Sequence, residues 1–380
     1  MQRKKVVDEV VKVSVIGGGN MGSLLAADLS LKEGVSVSLL ASRCAEFSGR
    51  LEVEDWDSGK SYQSNIFEVT DDPEEAVKDA KLILVTVPAN AVKAALEKIY
   101  DHVSEGTVVG FVPGSGGVEF YTQPLLKKGC TIFGMQRVHA IVRISEYAKT
   151  VSCQGRKQSI NIAVLPRKEA ESVSQFIENL LDVDVFTLDN YMSVTFSPSN
   201  QILHTARLYS LFHDYTPRTK YSKVPFFYKD WDILSSDVLL NCDNELQDIM
   251  SKAGVLGVAS LLDHYESKNS LELQKKISSI TAFSNILSPM VFKNDGYIPD
   301  FDNRYFTADF PYGLCLIKGF AVALGVSTPV IDKLIRWYEG VMGVEFFVGD
   351  EFVGRDVKNT SSPQNFGINT MTDIINYYSR

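Results

Sequence analysis

Short apolar runs alternate with helix-period stretches through the first half of the chain. The apolar runs predict strands at residues 11–16, 35–40, 81–88, 107–112, 130–133 and 159–165. Helix-period positions between them predict helices at 21–31, 72–77 and 89–100. Strands that alternate with helices in this way form parallel sheets with right-handed crossovers. We therefore predict an α/β fold that begins with a Rossmann-type doubly wound sheet.

The pattern changes near residue 187, after which helix-period apolar positions dominate. They predict helices at 203–212, 234–252, 253–265, 271–279 and 313–324. Gly254 is the expected break between the second and third of these, and Thr328-Pro329 is a typical helix start. We therefore predict an all-helical C-terminal domain. The expected domains are residues 1–188, which bind a dinucleotide, and 189–380, which carry the substrate and catalytic groups.

The composition supports two folded domains and disfavours nucleic acids and membranes as binding partners. The 380 residues are 45% hydrophobic and 22% charged, which is typical of globular chains. A net charge of −9 disfavours binding to a phosphate backbone, so we expect no nucleic-acid partner. No window holds 18 consecutive apolar residues, so we also expect no membrane span.

Two features indicate a cytoplasmic protein. The start of the chain is basic, but Asp8, Glu9 and Lys12 interrupt the apolar run behind it, so we expect no signal peptide. The five cysteines have no CxxC spacing, which fits reduced thiols better than a disulfide framework.

A glycine pattern, Gly17-x-Gly19-x-x-Gly22, directly follows the first predicted strand and opens a helix. In a dinucleotide-binding loop, Gly17 would make the tight turn, Gly19 would admit a pyrophosphate and Gly22 would let helix and strand pack closely. The backbone at Asn20 and Met21 would present the helix N-terminus to the phosphates. A structural turn without a ligand is the alternative.

The residues after the second predicted strand bear on the choice of cofactor. NAD-binding sites usually place an acid about 20 residues beyond the glycine loop, but residues 40–43 contain none. Ser42 and Arg43 can instead hold a 2′-phosphate, so NADP(H) is favoured and NAD(H) remains open; Arg43 could also be a solvated surface residue. Val87 and Pro88 end another strand at the carboxyl edge, where further cofactor contacts are expected.

Two segments of the second domain resemble the opine dehydrogenase family, the octopine and nopaline dehydrogenase-like enzymes. One is an N-x3-H segment, and the other is the stretch Arg304–Leu314. The chain differs from the family at Ala308, where Glu is usual, and at Gln136-Arg137. The residues that match position by position are Asn200, His204, Arg304, Asp309, Pro311 and Gly313.

The resemblance implies a reaction and a set of roles. It implies reductive condensation of an α-keto acid, such as pyruvate, with the amino group of an amino acid, on a 6-phosphogluconate dehydrogenase-like helical domain. His204 and Asp309 would be the catalytic pair, because histidine exchanges protons near neutral pH and a carboxylate fixes its tautomer. Arg304 and Asn200 would bind substrate, with Arg304 holding a carboxylate. No metal is implied, and a homodimer is one open option for assembly.

Other functions remain open from the residues alone. A ketopantoate reductase-like enzyme or a 2-/3-hydroxy acid dehydrogenase would share the two-domain plan, but generally relies on a catalytic lysine, and none stands near 200–204. A non-catalytic NADPH-sensing protein would not need His204, Arg304 and Asp309 together. His139 is a further candidate on the substrate side, and the aromatic stretch 224–231 is either core packing or a pocket lining.

Overall fold

The computed structural model describes residues 10–197 and 200–379, which form two compact units. The first unit runs to Thr195 and takes in the chain end from Tyr378, and the second is Phe196–Tyr377. The sequence pattern predicts this boundary between residues 188 and 189, earlier than the structure has it. The basic N-terminal segment, with the expectation about a signal peptide, lies outside the described residues.

The first unit contains the strands and helices predicted from the alternating pattern, together with others. Its strands are β1 Val11–Ile16, β2 Val35–Leu40, β3 Glu52–Asp55, β4 Lys60–Gln63, β5 Glu68–Thr70, β6 Leu82–Val85, β7 Val108–Phe111, β8 Thr131–Met135, β9 Ala140–Glu146, β10 Thr150–Arg156, β11 Ser159–Leu165 and β12 Asp184–Thr187. Its helices are α1 Asn20–Leu29, α2 Pro73–Val77, α3 Ala89–Ile99, α4 Gln123–Lys127, α5 Ala170–Leu181 and α6 Met192–Thr195.

The main sheet has the strand order β12-β11-β8-β7-β6-β1-β2-β5. Its pairs are parallel except for β8 with β11, which run antiparallel. The order reverses at β1, because β2 lies on one side of it and β6 on the other. Ligands of doubly wound sheets bind at the carboxyl ends of the strands at such a reversal. The predicted Rossmann-type sheet is therefore confirmed, and the reversal marks where a cofactor belongs.

A second sheet in this unit, ordered β4-β3-β10-β9, was not predicted. Its strands come from two distant parts of the chain, and β3 pairs in parallel with β10, from Glu52 opposite Thr150 to Asp55 opposite Cys153. Val53, Val142 and Val151 of this sheet join the core cluster that also contains Leu24 and Leu25 of α1. The second sheet therefore packs on the helix that opens at the glycine loop.

The second unit is built mainly from helices, and one short hairpin departs from the all-helical prediction. The hairpin pairs β13 Met290–Phe292 with β14 Tyr297–Pro299. The helices are α7 Asn200–Phe212, α8 Ile233–Ala253, α9 Leu261–His264, α10 Ser270–Ser278, α11 Arg304–Thr307, α12 Cys315–Leu324, α13 Pro329–Met342 and α14 Met371–Tyr378, whose last residue belongs to the first unit.

One predicted helix of this unit is wrong. Residues 253–265 were expected to be helical, but only Leu261–His264 are. Gly254 ends α8 in the left-handed conformation with φ of 69°, and Gly257 also has a positive φ of 84°. Two glycines in that conformation within four residues prevent a helix from restarting before Ser260, whose side chain caps α9.

A stretch of the second unit is long and apolar enough to span a membrane by length and composition alone. It runs from Arg304 to Leu324, and 61% of its most apolar window is buried inside the structure. Phe306, Phe310 and Phe320 of this stretch are fully buried. The central helix of a folded helical domain is buried in the same way. The length and apolar composition of this stretch are therefore only weak evidence for a membrane-spanning segment.

Candidate active site

The glycine loop lies between β1 and α1, at the reversal of the main sheet. Gly17 has φ of 110°, which favours glycine. A Cβ on Gly22 would stand 1.8 Å from the Gly17 carbonyl oxygen, so only glycine lets α1 approach the strand this closely. A Cβ on Gly19 would meet nothing within 4 Å. Open space at Gly19, in front of a helix N-terminus, fits the pyrophosphate of a dinucleotide.

The two residues after Gly19 contribute differently from each other. The Asn20 side-chain oxygen accepts a hydrogen bond from the Ile144 backbone N–H of β9 at 2.8 Å. It therefore anchors the loop to the second sheet. The Met21 side chain is buried in the core cluster, which leaves only its backbone for a phosphate.

The end of β2 presents Ser42 and Arg43, both exposed. The Arg43 guanidinium stacks over the Tyr147 ring at 4.0 Å and forms an ion pair with Glu46. This pair raises the pKa of Arg43, and the side-chain hydrogen bond to Glu46 is the largest cause. Glu46 is an acid three residues beyond the segment 40–43, from which the preference for NADP(H) is predicted.

Val87 and Pro88 follow β6, the neighbour of β1 on its other side. Val87 packs against the glycine loop, since its Cγ1 would lie 2.9 Å from a Cβ on Gly17. Pro88 is exposed and directly precedes α3. Thr86, which we had not singled out, donates its hydroxyl to the Ile16 carbonyl at 2.9 Å and so holds the two strand ends together. The predicted cofactor residues therefore meet at one edge of the sheet.

In the second unit, the structure brings His204 and Asp309 together. His204 lies on α7 and is buried, and its Nδ1 stands 2.8 Å from Asp309 Oδ2. A carboxylate can only accept a hydrogen bond, so Nδ1 carries the proton and the neutral ring has a basic Nε2. The predicted pairing is therefore present in the structure.

Asp309 reaches His204 through an unusual turn of helix. It precedes a π-helical turn at Phe310–Leu314, a type of turn that is frequent at functional sites. A Cβ on Gly313 would lie 2.9 Å from the Gln201 Cβ on α7. Glycine at this position therefore allows the turn to pack closely on α7 and brings Asp309 within reach of the imidazole.

The other nitrogen of His204 contacts a residue that sequence reasoning did not assign. Nε2 lies 2.9 Å from the Tyr228 hydroxyl, and Tyr228 is buried. Burial is the main cause that raises the pKa of this hydroxyl well above its usual range. In the sequence, Tyr228 is marked only by its place in the aromatic stretch 224–231. That stretch is interpreted there as either core packing or the lining of a pocket.

Arg304 and Asn200 are both exposed. The Arg304 guanidinium lies 5.3 Å from the centre of the Tyr305 ring, and that ring lies 4.1 Å from the imidazole of His204. Among the described residues, no carboxylate forms an ion pair with Arg304. Asn200 begins α7 one helical turn before His204, which places the two on the same side of the helix.

His139 is in the first unit, and the structure does not favour it as a substrate contact. It is 6% exposed, and burial lowers its pKa to about 4. Its Nδ1 has no hydrogen-bond partner among the residues that the structure describes. Within the same residues, no group of three His, Cys, Asp or Glu side chains is arranged to hold a metal ion.

Family models match both units of the chain. The model described as NAD/NADP octopine/nopaline dehydrogenase, alpha-helical domain, matches residues 187–342. The model of ketopantoate reductase PanE/ApbA matches residues 13–167. The first match covers the segments with His204, Arg304 and Asp309, and the second covers the glycine loop.

Whole-chain relatives give the same result. Tauropine dehydrogenase of Arabella iricolor is 28% identical, covering 96% of this chain and 100% of the relative. Opine dehydrogenase of Haliotis discus hannai is 29% identical, covering 96% of this chain and 98% of the relative. Octopine dehydrogenase, solved with NADH and L-arginine, superposes with a TM-score of 0.82 at 25% identity and covers 96% of this chain and 97% of its own. Its complex with NADH and pyruvate gives a TM-score of 0.81 at 25% identity, with 96% and 98% coverage.

Proposed function

The chain belongs to the opine dehydrogenase family, and from this premise we propose how its residues perform the reductive condensation of an α-keto acid with an amino acid. The enzyme is an NAD(P)-dependent oxidoreductase that acts on CH–NH bonds. The keto acid and the amine first lose water to form an imine. When bound, NAD(P)H supplies the hydride that reduces the imine carbon. The observation that carries the proposal is the contact between the buried His204 and the partly buried Asp309.

His204 is the proton-transfer group of this reaction. Imine formation needs a base that takes a proton from the amine, and an acid that protonates the oxygen that leaves as water. The basic Nε2 takes the first proton and returns it for the second step. Asp309, 2.8 Å from Nδ1, stabilises the imidazolium that exists between these steps and holds the ring in one tautomer.

Arg304 holds a substrate carboxylate, and Asn200 assists it. Both reactants carry a carboxylate, and a guanidinium binds such a group through two parallel hydrogen bonds. The exposed Arg304 has no ion-pair partner among the described residues, and it lies over Tyr305, which in turn lies beside His204. A carboxylate bound there would lie near the proton-transfer group. In this proposal the amide of Asn200, one turn before His204 on α7, adds a hydrogen bond to the same carboxylate.

NADP(H) is the preferred cofactor in this proposal, with NAD(H) as the alternative. The support is the absence of an acid in residues 40–43 and the presence of Ser42 and Arg43 at the end of β2. Glu46 opposes the preference, because a 2′-phosphate would have to replace its carboxylate as the partner of Arg43. Tyr147 favours it by holding the guanidinium at the strand end.

The remaining parts of the proposal concern partners and location. We expect a small keto acid such as pyruvate and an amino acid as substrates, and neither nucleic acid nor a membrane as a partner. The protein works in the cytoplasm in this account, with all five cysteines as free thiols in the structure. In this proposal the protein acts as a monomer or as a homodimer.

Product analysis tests the proposed reaction. The purified protein is incubated with NADPH or NADH, a panel of keto acids and a panel of 15N-labelled amino acids. Reductive condensation gives a secondary amine that contains the 15N label and the carbon skeletons of both substrates. A hydroxy acid without nitrogen as the product would support the hydroxy-acid dehydrogenase alternative, and no product with any pair would support the sensing protein.

A further inference from the structure

We propose that Tyr228 relays protons between the substrates and His204: its hydroxyl group stays on Nε2, giving its own proton to that nitrogen as it takes one from the amine, and the return step reverses this exchange. This inference rests on the proposed role of His204 in proton transfer. It goes beyond that role because it assigns a function to a side chain that the sequence left between core packing and a pocket lining. It begins from the 2.9 Å contact between Tyr228 Oη and Nε2.

The two partners of the imidazole are of different chemical kinds. At Nδ1 the carboxylate of Asp309 can only accept, so it requires a proton on that nitrogen in either state. At Nε2 the hydroxyl of Tyr228 can donate to the neutral ring and can accept from the protonated one. A hydroxyl is therefore suited to the nitrogen that gains and loses the proton, and a carboxylate to the one that does not.

Tyr228 carries a proton before and after each transfer. It is 7% exposed, and burial raises the pKa of its hydroxyl well above the usual range, with the nearby Tyr305 adding to the effect. The group is therefore a neutral phenol at physiological pH. A phenolate would pull the proton onto Nε2 and remove the base from the site, whereas a phenol that donates to Nε2 keeps that nitrogen unprotonated in the resting enzyme.

The position of Tyr228 is fixed by a buried cation on the helix that carries His204. Arg207, three residues after His204 on α7, is 1% exposed. Its guanidinium donates to the backbone carbonyls of Phe227 and Asp230 at 2.9 and 2.7 Å. These carbonyls flank Tyr228, so one helix holds both the imidazole and the segment that supplies its second partner. An ion pair with Asp232 at 2.8 Å compensates the buried charge.

Aromatic packing holds the ring independently of its hydroxyl. The Tyr228 ring lies 6.5 Å from Trp231, nearly parallel to it at 11°, and 4.8 Å from Phe283. Phenylalanine preserves these contacts, so Tyr228→Phe removes the hydroxyl and leaves the surrounding packing in place. Tyr221→Phe is a matched control, because Tyr221 is a partly buried tyrosine of the same unit whose hydroxyl lies 3.5 Å from the Leu211 carbonyl.

The first test separates turnover from binding in the full-length protein. Tyr228→Phe should lower kcat about 10- to 100-fold, the range expected for a lost hydrogen bond to a group that becomes charged. The KM of both substrates and the Kd of the cofactor should stay within about twofold of the unmodified values, since no binding group is removed. Tyr221→Phe should leave kcat within about twofold as well. Equal kcat values for the two variants would overturn the proposal.

The second test reads the imidazole directly and needs no substrate. Protein labelled with 15N-histidine is examined by NMR at about pH 8.5, above the usual histidine pKa, and the His204 signals are assigned with His204→Ala. The unmodified protein and Tyr221→Phe should show a protonated Nδ1 and an unprotonated Nε2. Tyr228→Phe should shift the Nε2 signal and admit the other tautomer. Unchanged His204 signals in Tyr228→Phe would contradict the inference.

The two tests also distinguish this inference from the function on which it rests. If His204→Ala retains full turnover, the proton-transfer role of His204 fails. If His204→Ala loses turnover while Tyr228→Phe matches Tyr221→Phe in both rate and NMR signals, only the role of Tyr228 fails.

Discussion

Nδ1 of His204 lies 2.8 Å from Oδ2 of Asp309, although 105 residues separate the two along the chain. The distance is typical of a hydrogen bond in which one partner is charged. Both side chains are shielded, with side-chain exposures of 4% for His204 and 20% for Asp309. A pair of this kind fixes the tautomer of the ring and stabilises its protonated form, which is the arrangement that a reversible proton transfer requires.

Substitution of either member of this pair should reduce turnover and leave the affinity for the cofactor unchanged. His204→Ala removes the proton-transfer group, so kcat should fall roughly 10²- to 10⁴-fold. Asp309→Asn keeps the shape but lets the amide N–H donate to Nδ1, which favours the wrong tautomer, so kcat should fall as well. Steady-state kinetics measure kcat, and a fluorescence titration measures the Kd of the cofactor. The exposed His213, one residue after α7, supplies the control His213→Ala, which should retain turnover. Full turnover in His204→Ala would reject the assignment.

Arg304→Lys should weaken substrate binding more than it slows turnover. An ammonium is a point charge and cannot reproduce the two parallel hydrogen bonds of a guanidinium, so the KM of the keto acid should rise by roughly tenfold. The exposed Arg355 gives a matched control, and Arg355→Lys should leave KM unchanged. Equal KM values in the two variants would show that Arg304 does not hold the carboxylate.

Arg43 and Glu46 should set the preference between NADPH and NADH in opposite directions. NADPH should bind more tightly than NADH. Arg43→Ala should weaken the binding of NADPH much more than that of NADH, because only the 2′-phosphate needs the guanidinium. Glu46→Gln should increase the affinity for NADPH, since it releases Arg43 from its ion pair. Titration of the unmodified protein and of both variants with NADPH and with NADH measures the six affinities. Equal or reversed affinities in the unmodified protein would refute the NADPH preference.

A buried acid should make the stability of the protein depend on pH. Glu119 is fully buried in the first unit and accepts hydrogen bonds from Thr195 and Tyr378 at 2.6 and 2.7 Å. Burial raises its pKa from 4.5 to about 7. Between these values the folded protein keeps a proton that the unfolded chain has lost, so the free energy of unfolding falls as pH rises through this window.

Glu119→Gln removes this dependence, because the amide keeps an acceptor oxygen and carries no charge at any pH. Relative to the unmodified protein, the variant should gain up to roughly 3 kcal/mol in its free energy of unfolding between about pH 4.5 and pH 7.5. Urea denaturation at the two pH values measures the gain, and the exposed Glu33 supplies the control Glu33→Gln. A difference in stability that is the same at both pH values would mean that Glu119 is already ionised in the folded protein.

The sequence predicted those parts of the fold that depend on local patterns. The strands β1, β2 and β6 and the helices α1, α3 and α8 follow from hydrophobic period and from glycine and proline positions. The second sheet was missed because β3 has only four residues and pairs with β10, almost 100 residues later. Such pairing depends on tertiary contacts, which a local pattern does not contain.

The residues of the candidate site also differ in how far the sequence predicts them. The glycine loop could be interpreted from spacing, since Gly17, Gly19 and Gly22 lie in one turn. His204 and Asp309 came together only through the resemblance of their two segments to a family. Tyr228 was not assigned, because its contact with Nε2 depends on how Arg207 holds the segment around it. An aromatic stretch shows that packing occurs, and it does not show which hydroxyl meets which nitrogen.

The measurement that tests the central claim most directly is the rate of NAD(P)H oxidation with each substrate alone and with both together. The imine that accepts the hydride exists only when a keto acid and an amino acid are both present. The account therefore predicts that oxidation with both substrates is far faster than with either one, and that the rate saturates in each. Oxidation that proceeds with a keto acid alone, at a rate unchanged by any added amino acid, would contradict it.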